Sequence, residues 1–90
     1  LGAWLSVNLN IIKQMKVFTL VQIIERDCDV NVWTFKSLDE AINLKNELAF
    51  DFTTAYGVTH SSEKEEDDFY FCFMSSGGTD QQFIIKETEL

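Results

Sequence analysis

Residues 30–52, VNVWTFKSLDEAINLKNELAFDF, read as a strand that runs into a capped amphipathic helix. Ser37 is placed to cap, because its hydroxyl can accept from the unpaired N–H groups at the start of a helix, and Glu40 at the third helical position can reach back to the Ser37 N–H. Asp39 and Glu40 stand where the first amide dipoles favour negative charge. Downstream, Leu38, Ala41, Ile42, Leu44, Leu48, Ala49 and Phe52 recur at spacings of three and four, with Asp39, Glu40, Asn43, Asn46 and Glu47 between them. That spacing gives one apolar face and one hydrated face. Asp51, Thr53, Thr54 and Gly57 break the pattern, so the helix is expected to stop near Phe50 or Phe52.

Working outward, Lys16–Glu25 (KVFTLVQIIE) is dense in β-branched and aromatic residues and reads as a central strand. Val17, Thr19, Val21 and Ile23 take one side, and Phe18, Leu20, Gln22 and Ile24 the other. Arg26–Asp29 reads as a turn, which makes this strand and Val30–Phe35 a hairpin. Beyond the helix, Thr54–Thr59 is a candidate short strand, and His60–Asp68 (HSSEKEEDD) reads as an exposed acidic loop. Phe69–Met74 and Gln81–Glu87 are expected to pair across a turn at Ser75–Asp80. The fold class is therefore α+β: a single antiparallel sheet of four strands, or five with Thr54–Thr59, and one helix across a face, in the order β-β-α-(β)-β-β. Residues 15–90 make one domain. Residues 1–14, ahead of Met15-Lys16, read as an N-terminal extension whose apolar residues fit a helical and a strand period equally well.

The chain has 90 residues, a formal charge of −8 and no proline. Its charge should repel phosphate backbones and anionic membranes, which disfavours direct nucleic-acid binding. No apolar run is long enough to span a bilayer, so no membrane association is expected. Cys28 and Cys72 are too few and too far apart for a secreted disulfide scaffold, and cytoplasmic thiols are the expectation.

Side chains with chemical capacity are few. His60 has Ser61 and Ser62 beside it but no further partner to define a catalytic pair, and it reads as a loop histidine. Cys28 stands between Asp27 and Asp29, whose charge disfavours a thiolate, and Cys72 lies mid-strand as a small buried hydrophobe. Glu25, Asp27 and Asp29 lack the spacing and glycine of a calcium loop, and Ser76-Gly77-Gly78-Thr79 lacks the lysine and helix start of a phosphate loop. No cofactor, metal site or catalytic activity is expected. Trp33, Tyr56 and Tyr70 are the residues most able to form a pocket.

Two features remain. Glu63, Glu65, Glu66, Asp67 and Asp68 form an electronegative cluster suited to docking on a protein partner with a basic surface, including one that otherwise holds nucleic acid. The strands also carry more apolar side chains than one helix covers. Phe69, Phe71, Phe73, Phe83 and Ile85 join Trp33 and Phe35 as interior candidates, while Tyr70, Cys72, Met74 and Ile84 fall on the opposite phase. An apolar sheet face or edge bearing Trp33, Tyr70, Cys72, Met74 and Ile84 is the expected interface of a homodimer, with residues 1–14 as the rival cover for that face. In size, charge and strand–helix order the chain resembles small accessory proteins of bacteriophages and mobile elements, some of which inhibit nucleic-acid-handling enzymes by imitating DNA charge. The resemblance implies an acidic protein-binding module or inhibitor. The alternative is a structural or regulatory homo-oligomer without catalytic activity.

Overall fold

The computed structural model describes residues 15–89. The expectations for residues 1–14 lie outside the described residues. Strand β1 (Lys16–Ile24) leads through a turn to β2 (Asp29–Phe35), followed by helix α1 (Leu38–Tyr56) and strands β3 (His60–Glu66), β4 (Phe69–Ser76) and β5 (Thr79–Glu89). All strand pairs are antiparallel, and the sheet order is β2-β1-β5-β4-β3. The α+β architecture with one helix on one sheet is the one expected, and the fifth strand is present. It is formed by His60–Glu66 and not by Thr54–Thr59, of which Thr54–Tyr56 belong to the helix.

Ser37 caps α1 as its sequence indicates: its backbone is extended, at φ −132° and ψ 150°, and its Oγ accepts from the Glu40 N–H at 3.3 Å. The helix runs one turn past its expected end. The Thr53 hydroxyl donates to the Ala49 carbonyl at 2.9 Å, so the threonine satisfies its own polar group within the helix. Gly57, at φ +71°, then supplies the terminal turn, and its N–H donates to the Thr53 carbonyl at 2.8 Å.

The helix covers the sheet face that carries Leu20, Cys72, Met74, Phe83 and Ile85, which together with Ala41 and Phe52 form the buried core. Phe18, Trp33, Phe35, Ile42, Leu44, Leu48, Ala49, Val58 and Tyr70 pack around it. The amides of Asn31, Gln22 and Gln81 share that face at one end. Asn31 Nδ2 donates to Gln22 Oε1 at 3.2 Å, and Gln22 Nε2 to Gln81 Oε1 at 2.9 Å. The chain of amides satisfies buried polar groups and fixes the β2-β1-β5 register, since a one-residue slip would strand them.

Two expectations about the second half of the sheet are corrected. Antiparallel partners share a face, and Tyr70 pairs with Ile85 and Cys72 with Phe83. Tyr70, Cys72 and Met74 therefore lie beneath the helix, and Phe69, Phe71 and Phe73 on the other face, the reverse of the phase read from the sequence. The turn decides this. Gly77 and Gly78, at φ +53° and +106°, make a two-residue hairpin connection that places Ser76 opposite Thr79, whereas a Ser75–Asp80 loop leaves the register free. The acidic stretch is likewise an edge strand and not a loop. Pairing with β4 on one side satisfies its backbone while every side chain from His60 to Glu66 stays hydrated, so its low intrinsic strand preference is overridden.

Candidate functional site

The edge strand sorts the acidic cluster by alternation. Glu63 and Glu65, opposite Cys72 and Tyr70, point to the helix side, whereas Lys64 and Glu66, opposite Phe71 and Phe69, point to the other. Asp67 and Asp68 form the turn into β4. Where this turn meets the start of α1, the helix leaves the sheet uncovered and a groove of about 70 Å³ opens. Phe18, Leu38, Ile42, Tyr70 and Ile85 form its floor, and Glu65, Asp67, Asp68 and Glu87 its rim; Glu66 and Phe69 border it at the strand ends, with their side chains on the opposite face by register. Glu65, Asp67 and Asp68 of the sequence cluster thus converge on one apolar slot, with Glu66 at its border. Glu63 lies further along the strand and belongs to a different arrangement.

Three of these carboxylates already hold lysines: Asp68 with Lys86 at 2.8 Å, Glu66 with Lys64 at 2.9 Å and Glu87 with Lys16 at 3.3 Å. The hydrogen bond and charge of Lys86 hold the Asp68 carboxyl below its ordinary value of 3.8. These pairs are open to water, where such contacts are weak and exchange readily. Glu65 and Asp67 have no basic partner among the described residues.

Glu63 is joined to the helix by Lys45, a lysine 7 % exposed in the middle of the apolar stripe. The Lys45 Nζ lies 3.9 Å from Glu63 Oε1 and 4.9 Å from the centre of the Tyr70 ring. The Cys72 Sγ donates to the same Glu63 oxygen at 3.8 Å. Burial raises the Cys72 thiol above its ordinary value and pushes the Tyr70 hydroxyl above its own, and the negative charge of Glu63 adds to both. A thiol held protonated in this way is not a nucleophile, which agrees with Cys72 as a packing residue.

The other sequence candidates separate. Trp33 on β2 and Tyr70 on β4 have β1 and β5 between them, and Tyr56 lies at the far end of α1, its ring 5.6 Å from that of Phe52 and tilted 44° to it, so the three do not build one pocket. Tyr56 instead lines a wider polar hollow with Ile24, Arg26, Asp27, Thr79 and Gln81. Of the five residues named for a sheet interface, Cys72 and Met74 are buried in the core, Trp33 and Tyr70 pack beside it, and Ile84 alone is on the open face. His60 begins β3, exposed, with its ring 6.1 Å from that of Phe73. Among the described residues no three His, Cys, Asp or Glu side chains converge as metal ligands, and no helix is long and apolar enough to cross a membrane.

The sequence reading missed Leu38, Ile42 and Phe18 as groove residues, and Glu87 joins the acidic cluster as one of the residues able to extend it. Leu38 and Ile42 are four apart on the helical stripe, a signal for a shared face, but their position over the β3–β4 turn depends on where the helix crosses the sheet. No family model, curated protein or solved structure matches the chain.

Proposed function

We propose that the chain is a small, non-enzymatic protein-binding module that receives a basic segment of a partner protein in the groove between α1 and the β3–β4 turn. The observation that carries this reading is the pairing of an apolar floor with a rim of four carboxylates, Glu65, Asp67, Asp68 and Glu87. A lysine or arginine matches both parts, since its aliphatic stem packs on Phe18, Ile42 and Tyr70 while its charged head reaches Glu65 or Asp67. The slot is far smaller than the roughly 300–1,000 Å³ usual for small-molecule sites, which favours one side chain of a larger ligand over a cofactor. The net charge of −8 adds a long-range attraction that speeds encounter with a basic surface, including one that otherwise binds nucleic acid, as the likeness to phage and mobile-element inhibitors implies.

The test is a nuclear magnetic resonance titration with a synthetic peptide of alternating arginine and leucine. Shifts are expected at Leu38, Ile42 and Glu65–Tyr70, diminishing in high salt. In the combined variant Glu65→Gln, Glu66→Gln, Asp67→Asn and Asp68→Asn the shifts should vanish while the spectrum stays that of the folded chain. Binding that survives in this variant, or shifts scattered over Asp27, Asp39 and Glu47, would overturn the proposal.

A further inference from the structure

The face of the sheet away from α1 has no described element over it. Antiparallel register places Val17, Thr19, Val21 and Ile23 of β1 there, with Val30, Val32 and Thr34 of β2, Gln82, Ile84 and Lys86 of β5, and Phe69, Phe71 and Phe73 of β4. Val30 and Val32 are each 60 % exposed. The charged residues of this face are Lys64 and Lys86, with Glu66 and Asp80, and at its margins Glu25 and Asp68, whose carboxylates accept from Gln82 and Lys86 of the face. Two lysines against four carboxylates leave this face a minor share of the chain's charge of −8. Among the described residues it is a broad, mainly apolar surface that two copies can bring together against little of their excess charge.

We infer that the open face is the interface of a symmetric dimer in which two copies of the chain stack sheet on sheet. The distribution of side chains is self-complementary. A two-fold axis along the central strand β5 sets Val21 and Ile23 of each copy against Phe71 and Phe73 of the other and brings Ile84 against its own counterpart. The same axis sets Val32 on one edge opposite Lys64 on the other, so that the lysine stem covers the exposed valine. Lys86 and Asp80 of β5 each fall near their own copies; the ion pair of Lys86 with Asp68 at 2.8 Å reduces the first repulsion, and the second is confined to the end of the strand. Five strands about 4.8 Å apart and about seven residues long give a footprint on the order of 500 Å². That flat projection underestimates the corrugated accessible surface, and it approaches the roughly 800 Å² per partner of a standard interface. The surface meets the groove beside α1 only at Glu66, Asp68 and Phe69, so the dimer is read at Val32 and the binding of a basic peptide at Glu65 and Leu38.

Sedimentation equilibrium of the full chain tests the inference. At about 50 µM the expected mass is twice the 10.4 kDa of one chain, and it should persist in 1 M salt, as apolar contacts do. Two substitutions at the exposed Val32 then separate this geometry from others. Val32→Lys places a cation opposite the partner's Lys64 and should raise the dissociation constant at least about tenfold, although it lowers the net negative charge. Val32→Glu meets the same lysine with an opposite charge and should leave dimerisation unchanged or tighter. Circular dichroism reports that both remain folded. A monomer at 50 µM, the result expected if residues 1–14 or another protein cover the face, would overturn the inference. So would a dimer indifferent to Val32→Lys, which would point to assembly through an edge or the helix side.

Discussion

Lys45 is the side chain that ties α1 to the β4–β3 half of the sheet, and its truncation measures how that tie works. Lys45→Ala removes about three buried methylenes, worth roughly 2.4 kcal/mol at about 0.8 kcal/mol each. The ammonium over Tyr70, 4.9 Å from the ring centre, adds about 1 kcal/mol. The contact with Glu63, whose side chain is 61 % exposed, adds a few tenths at most. Against these, alanine recovers about 1.5 kcal/mol of side-chain entropy and a few tenths of helix propensity. The net expectation is a loss of about 1.5 kcal/mol. Lys45→Met keeps the stem, loses the cation and is relieved of burying a charge, so it should stay within about 1 kcal/mol of the parent and above Lys45→Ala. Urea unfolding followed by both circular dichroism and tryptophan fluorescence gives the two numbers. If Lys45→Met proves as damaging as Lys45→Ala, the charge and not the stem holds the helix, and the reasoning is refuted.

The carboxyl resonance of Asp68 should titrate below 3.8, and Lys86→Met should return it to that value; the stability tied to this group is present above pH 3.8 and is lost as pH falls through the lower folded value. Cys72 and Tyr70 behave in the opposite sense, because their folded values are raised: stability is intact below pH 9 and falls as pH rises beyond it, when unfolding releases their protons, and Tyr70→Phe should flatten the alkaline part of the denaturation curve. Under native conditions a thiol reagent should modify exposed Cys28 quickly and buried Cys72 only on unfolding. Equal rates at the two thiols would contradict the packing of β4 beneath α1.

The strands β1 and β2, the Ser37 cap and the face of α1 were legible because period, propensity and capping agree there. The second half of the sheet was not, and the reason is local. FYFCFM alternates two sets of apolar residues that could each be core, so hydrophobic pattern does not choose the phase, and the choice passes to the Gly77–Gly78 turn. HSSEKEE carries no apolar residue at all, and its strand exists because β4 offers it an edge to pair with. The acidic cluster was visible as composition. Its meeting with Phe18, Leu38 and Ile42 was not, because that groove depends on where the helix axis crosses strands distant in sequence.

The charged edge strand also limits how far the sheet can be extended. An open stack of chains joined edge to edge needs two competent edges, one to accept the next chain and one to be accepted. β3 carries Glu63, Glu65 and Glu66 against the single Lys64, so an incoming copy of the same strand meets an edge of net negative charge. β2, between Val30 and Phe35, has no charged residue to refuse a neighbour. Two chains joined β2 to β2 would therefore leave the acidic β3 outermost at both ends. That protection is electrostatic, and strong acid, which protonates the carboxylates, is the condition under which the β3 edge loses it.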